Sequence, residues 1–322
     1  MSAYVARRLL QGIVVLFIVS FIAFAIFQYI GDPAVTMAGQ YATAAQEAAI
    51  RKALGLDQPF YIQYLHFIAN AVGGNLGMSY VAKVPVLGLI LERLPASLEL
   101  AFTAEVGAVI FGVALGVLSA AYPRSVFSKA TLTGSLFGVS LPTFLVGILL
   151  ILVFAVWLGW LPPFGRGDVV PVIDPWSTGF LTASGWAHLA LPAITLGMFQ
   201  LALLYRLTRN GMVEILRADY IRTARAKGLG RWSVLFKHAL RNVLIPVITM
   251  VGLQLGQLIG FSIVTESIFQ WPGAGNLLLT SLYESDFPVV AAYIIIVALI
   301  VVGLNLLVDI SYALLNPRIR YD

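Results

Sequence analysis

Six apolar runs, each near or beyond the ~20 residues needed to cross about 30 Å of hydrocarbon at 1.5 Å per residue, restrict what this chain can fold into. They read as Leu9 to Ile30, Leu100 to Ala121, Ala130 to Leu158, Leu189 to Tyr205, Val243 to Val264 and Val289 to Ile310. Of 322 residues, 60% are apolar and 11% charged, against roughly 25% charged in an ordinary soluble domain. The expected class is an all-α integral membrane protein with six transmembrane helices. The third run is long enough to tilt or to end in an interfacial turn. The first follows Arg7 and Arg8 as a signal peptide would, yet it outruns a signal h-region. Its A-x-A triplet, Ala23 to Ala25, lies inside the run, so it reads as an uncleaved anchor.

Basic residues orient these spans, because Lys and Arg accumulate on cytoplasmic loops. With the N-terminus inside, the inner segments hold Arg7, Arg8, Arg124, Lys129, nine basic residues from Arg206 to Arg241, Arg318 and Arg320, fifteen of the twenty. The outer segments keep Arg51, Lys52, Lys83, Arg93 and Arg166, and the last outer loop carries only Glu266, Glu284 and Asp286. Both termini are therefore expected in the cytoplasm. The net charge of +5 belongs to the inner loops and does not call for nucleic acid. With no cysteine and three scattered histidines, of which His66 and His188 read as solvated or interfacial, no metal site is expected.

Three regions follow: an N-terminal span, 1–30; an outer insert, 31–97, punctuated by Gly31-Asp32-Pro33, Asp57-Gln58-Pro59 and Gly73-Gly74-Asn75; and a five-helix core, 98–322. The core contains an inner loop, 207–242, with eight basic and two acidic residues. Within it Asp219 to Gly228 reads as a short helix. Asp219 suits the N-cap, Lys227 the last turn, and Gly228 a left-handed stop. A second helix is expected from Arg231 to Asn242, with Trp232, Leu235, Phe236, Ala239 and Leu240 on one apolar face and Arg231, Lys237, His238 and Arg241 mostly on the other. A membrane-surface helix would account for the charge. It leaves Ala224, Ala226 and Gly228 unexplained, and these small residues permit close approach by another protein.

The runs "DYIRTARAKG" and "HALRNVLIPV", from Asp219 through Gly228 to Pro246, resemble the cytoplasmic loop of permease subunits in binding-protein-dependent ABC importers, most closely the peptide, nickel and opine branch. Further resemblance lies in "ARRLLQ", "LGLDQPFYIQYLHFI", "ESIFQWPGAGNLL" and "LLVDISYALLNPRIRY", so that it covers nearly the whole chain. It implies a type I ABC importer permease fold in a bacterial inner membrane, with a periplasmic insert between helices 1 and 2. It also implies partners: a second homologous permease subunit in a heterodimer, two ATP-binding subunits, and a periplasmic or lipoprotein solute-binding protein. ATP and Mg would sit on the ATPase partners, with no cofactor in this chain, which lacks the G-x-x-x-x-G-K-[ST] phosphate cradle. Carried over, Ala224 and Gly228 take the small positions of the coupling helix, and Asp219, Tyr220, Ile221, Arg222, Arg225 and Lys227 the surface that meets the ATPase. The wider motif begins Glu-Ala-Ala, and here Arg222 and Thr223 stand at its first two positions.

Polar groups inside spans are costly and therefore point to function or to helix packing. Gly252, Gly256 and Gly260 form two overlapping G-x-x-x-G steps suited to close helix contact. Gln254 and Gln257, at i and i+3, either line a pathway or bond between helices. Glu99 is expected at the outer interface, while Glu105 lies more than a turn deeper, facing either a solute amine or a structural partner. Asp309 is expected to reach toward Arg318, and Asn305 to bond between helices. Gly273 and Gly275 fit either a loop re-entering the outer mouth or a Pro-Gly turn with Trp271 as interfacial anchor. No H-E-x-x-H or G-x-S-x-G string occurs, so an intramembrane enzyme is not expected. An ion channel would not need the patterned inner helix. The solute is expected to be a peptide, with nickel complexes, opines or glutathione as alternatives.

Overall fold

A computed structural model describes residues 2–30, 33–38, 42–53 and 55–315. Among them, five helices are long and apolar enough to cross a membrane: α1 (Ser2–Ile30), α5 (Val86–Ala121), α8 (Ala183–Ile215), α10 (Arg241–Ile268) with the π-helical turn that precedes it, and α12 (Phe287–Leu315). The sixth expected span, 130–158, is broken. It consists of α6 (Val126–Ser140) and α7 (Thr143–Leu150), the latter continuing in π-helical form to Trp157, and the two halves meet at 114°. The cause is Pro142, which disfavours helical backbone at the residue before it. Leu141 is extended, at φ −83° and ψ 133°. Counted as one unit, the bent pair gives six spans.

Elsewhere the helices outrun the apolar stretches. The 33 residues of α8 continue ten beyond Tyr205, so the expected inner loop 207–242 is largely helical. Only 216–218 separate α8 from α9 (Asp219–Ala226). The helix expected at 231–242 does not stop: Ser233–Leu240 is π-helical and runs directly into α10. This wider winding shifts side-chain register. Val234, Leu235 and Ala239 are buried, whereas Trp232 and Phe236, placed by 3.6-residue spacing on the same face, are half-exposed and stacked on each other at 5.7 Å.

The chain forms two compact units. One comprises 1–97, 171–178 and 272–322, so that α12 belongs with α1 and the insert rather than with a five-helix core spanning 98–322. Here α1 packs along α12 so closely that a Cβ on Gly12 would lie 2.8 Å from Val302. Asp309 pairs with Arg8 of α1 at 3.1 Å, and its expected partner Arg318 lies outside the described residues. The insert contributes α2 (Pro33–Ala38), α3 (Ala44–Ala53) and α4 (Phe60–Val72). Its α4 is fastened to α1 by edge-on contacts of Tyr64 with Phe17 and Phe21, and by Tyr64 Oη 2.9 Å from Ser20 Oγ. Asp286, expected in an exposed acidic loop, is buried. It accepts from the backbone N–H groups of Tyr80 (2.9 Å) and Val81 (3.5 Å) and from the Ser79 hydroxyl. Gly273 caps α11 (Ala274–Tyr283), so the Pro-Gly segment opens a helix.

The second unit comprises 98–170 and 179–271. Its seam is α5 against α8, where small residues let backbones touch. A Cβ on Gly116 would stand 2.7 Å from Thr208 Cβ and 2.9 Å from the Tyr205 carbonyl; one on Gly197 would stand 2.7 Å from the Ala104 carbonyl. Trp271 ends this unit fully buried, its N–H on the Glu266 carbonyl, and so does not act as an exposed interfacial anchor. Glu266 is also buried inside α10, accepting from Ser262 at 3.0 Å, and is not a loop residue. A Cβ at Gly107, one face over on α5, would meet nothing within 4 Å. Gly116→Leu is therefore expected to lower stability by at least the ~1–3 kcal/mol of an overpacked core, while Gly107→Ala, with room for its methyl in mid-helix, does not lower it. Thermal unfolding midpoints of the two variants in one detergent check this.

Candidate functional site

The second unit carries both sequence-predicted sites, the short helix α9 and the polar residues within α5 and α10. The α9 backbone starts one residue earlier than expected: the N-cap is Ala218, without a side-chain cap bond. Asp219 is instead the first helical residue, where a carboxylate suits the helix dipole, and it pairs with Arg222 at 3.1 Å. Both groups are largely exposed, so this i,i+3 pair adds little stability. Lys227 closes the helix. Gly228 follows at φ +81°, the left-handed conformation that glycine adopts at least cost.

The two faces of α9 have different roles. Ile221 and Ala224 are buried, and Ile221, completely so, belongs to one cluster with Leu204 and Met212 of α8, Val234, Leu235 and Ala239 of the π-turn, and Val243 of α10. These two residues, expected on a surface meeting a partner, instead fasten α9 to its own chain. Tyr220, Arg222, Arg225, Lys227 and Gly228 remain exposed. Tyr220 is oriented by Asn242, whose side-chain N–H donates to its hydroxyl at 3.0 Å. The result is a basic, solvent-facing ridge on a helix seated against the ends of α8 and α10. The seat is hydrophobic and continuous with the core around α8 and α10.

Within α5, Glu105 is buried. Gln200 of α8 donates to its Oε1 at 3.4 Å, a long bond, and its Oε2 has no partner. Glu99, expected at the interface, is also buried and forms an ion pair with Arg166 at 2.7 Å, with the Gly179 N–H at 3.3 Å from its other oxygen. Sequence spacing could not reveal that pair, because Arg166 stands 67 residues away in what reads as an ordinary loop. The two carboxylates thus divide, Glu99 neutralised and Glu105 opposite only an amide.

On α10, Gly252 and Gly256 are buried, but Gly260 is exposed and a Cβ there would meet nothing within 4 Å, so the third glycine makes no close contact within this chain. Gln254 is half-buried and Gln257 exposed; neither hydrogen-bonds to another described residue, so of the two expected roles the bond between helices is not made within this chain. Leu253, Gln257, Gly260, Phe261 and Val264 share one exposed stripe at helical spacing. Gln200 was not singled out from the sequence. Its signal was a lone amide within an apolar helix, the same kind that marked Gln254 and Gln257.

The profile of the family described as binding-protein-dependent transport system inner membrane component matches residues 112–321, and a companion profile for the N-terminal part of such components matches residues 1–101. The glutathione transport system permease protein GsiC of Escherichia coli O6:H1 is 44% identical over 322 residues, the full length of both chains, and the protein of that name in Shigella dysenteriae serotype 1 matches equally. Among solved structures, a chain of the MetNI methionine ABC transporter in an inward-facing conformation aligns with TM-score 0.52 and 16% identity, covering 72% of this chain and 97% of that one. That likeness is one of fold.

Ile221→Asp would bury an unpaired charge, at a cost of several kcal/mol, and is expected to unseat α9 while the long helices stay folded. Limited proteolysis should then cut between 217 and 230 much faster than in the parent protein. Equal cutting rates would mean that Ile221 does not hold the helix.

Proposed function

Because the chain belongs to the binding-protein-dependent transport system inner membrane components, the permease subunits of ABC importers, we propose that α9 is the element through which a cytoplasmic ATPase moves the spanning helices, and that the solutes are short peptides, glutathione among them. The observation that carries the first part is the division of α9, with Ile221 and Ala224 in the core and a basic ridge outside. A helix so mounted converts a push on its outer face into rotation of α8 and α10. ATP-driven closure of the partner subunits would then bias the permease between inward- and outward-opening states through its differential contacts with α9. The ATPase side is the cytoplasm in this reading, and the concentration of Lys and Arg on the 206–241 segment supports it, with both termini on the same side. ATP and Mg act on the partner subunits.

The exposed stripe on α10 supports a pathway shared with a second permease subunit, in a heterodimer. Gly260 permits close helix approach across such an interface, and Gln257 beside it places an amide where two subunits enclose a solute. Glu105 supplies the charge on this side: a buried carboxylate with one unbonded oxygen suits the ammonium group of a peptide. A solute-binding protein would deliver cargo at the outer loops. Full-length identity to permeases named for glutathione, a tripeptide, favours the peptide class over nickel complexes or opines.

The test is co-reconstitution of this chain with its cognate permease, ATPase and binding-protein partners in proteoliposomes. Uptake of labelled glutathione or di- and tripeptides is expected to require ATP hydrolysis, and uptake without hydrolysis would sink the importer reading. Gly228→Trp forces a bulky residue into left-handed backbone at the exposed end of α9. It should insert normally yet lose co-purification with the ATPase, and normal transport in this variant refutes the docking role. Glu105→Gln should raise KM or lower kcat by roughly tenfold, the worth of a hydrogen bond to a charged group. Unchanged kinetics would confine Glu105 to structure.

A further inference from the structure

Beside α9 lies a crevice of about 410 Å³, lined by Arg225, Arg231, Ala121, Leu216, Leu229, Val234 and Leu235. Its two cations are held very differently. Arg231 is fixed: Nη2 donates to the Ala121 carbonyl, at the C-terminal end of α5, at 2.7 Å, and its guanidinium carbon stands 4.1 Å over the Tyr122 ring. The bond satisfies one of the carbonyls that a helix end leaves open, and the ring holds the guanidinium plane. Arg225 makes no hydrogen bond or ion pair with any described residue, and no carboxylate accompanies Arg231. Among the described residues, the acid nearest in sequence, Asp219, is already engaged by Arg222.

A crevice with two cations, apolar walls and no anion of its own is incomplete electrostatically. We propose that it receives a carboxylate side chain, Asp or Glu, from the contact face of the ATPase, bound between Arg225 and Arg231. This rests on the reading of α9 as the docking helix and specifies the chemistry of its partner. Arg231, already positioned by Ala121 and Tyr122, supplies a fixed donor fork at little further ordering cost. Arg225 closes from α9, and a carboxylate between two guanidinium groups forms charge-assisted hydrogen bonds to both. Because Arg231 is bonded to the end of α5, the incoming carboxylate pulls on that helix as well as on α9.

The experiment measures the affinity of the purified ATPase subunit for this permease in lipid nanodiscs at low and high salt. Arg225→Gln breaks no bond within the chain, so its effect reports docking alone; it should weaken binding about tenfold and flatten the salt dependence. Arg225→Glu should weaken it further, and a Lys at one acidic position on the ATPase surface should restore it. Arg231→Lys keeps the charge and loses the fork, giving an intermediate loss. Wild-type affinity and salt dependence in both Arg225 variants overturn the proposal and leave the docking role of α9 intact. A wild-type chain that does not bind the ATPase overturns the docking role itself.

Discussion

In hydrocarbon no water is available to an unpaired amide or carboxylate, so each buried polar group must find its partner within the protein or pay several kcal/mol. Much of this architecture follows from that constraint. The spans are helices because helices close their own backbone bonds. Where Pro142 interrupts one of them, the chain turns through 114° instead of continuing straight. Glu99 is matched by Arg166, Asp286 by two backbone N–H groups and a hydroxyl, and Glu266 by Ser262. Glu105 keeps one oxygen unbonded, and a few buried hydroxyl and guanidinium atoms, such as those of Thr103, Thr208 and Arg206, are likewise without a partner among the described residues.

The same constraint governs α9. A short helix of eight residues has little intrinsic stability, and its surface ion pair adds almost nothing. Burial holds it: Ala224 is buried, and Ile221 joins the cluster formed by α8, the π-turn and α10. The glycine contacts of the α5–α8 seam carry that packing deeper, past Thr208 and Tyr205 to the level of Ala104, beside Glu105. One hydrophobic cluster therefore runs from the seat of α9 into the helices that form the α5–α8 seam.

Much of this was legible in order along the chain. The apolar runs located the spans though not their ends, which lie ten or more residues further out at the start of α5 and the end of α8; Gly228 marked the left-handed end of α9, and the runs around it carried the resemblance to importer permeases. Burial was not legible. Ile221 and Tyr220 are neighbours in a basic segment, and no local pattern says which faces the core. The π-turn at 233–240 misled a reading based on 3.6-residue periodicity, so Trp232 and Phe236 were placed on the wrong face. Asp309 was assigned a cation near the C-terminus when its partner, Arg8, comes from the other end of the chain.

By itself the sequence determined the solvent, the helical class and the family, because these rest on composition, run length and contiguous motifs, which survive without knowledge of contacts. Tertiary structure alone decided which charges are neutralised and which remain open. Glu99 and Arg166, Arg8 and Asp309, Ser79 and Asp286 meet across 67 to 301 residues of chain. Arg225 and Arg231 acquire their meaning from the crevice they share. An ionic pair is set by distance in space, and only packing brings such distant positions within about 3 Å.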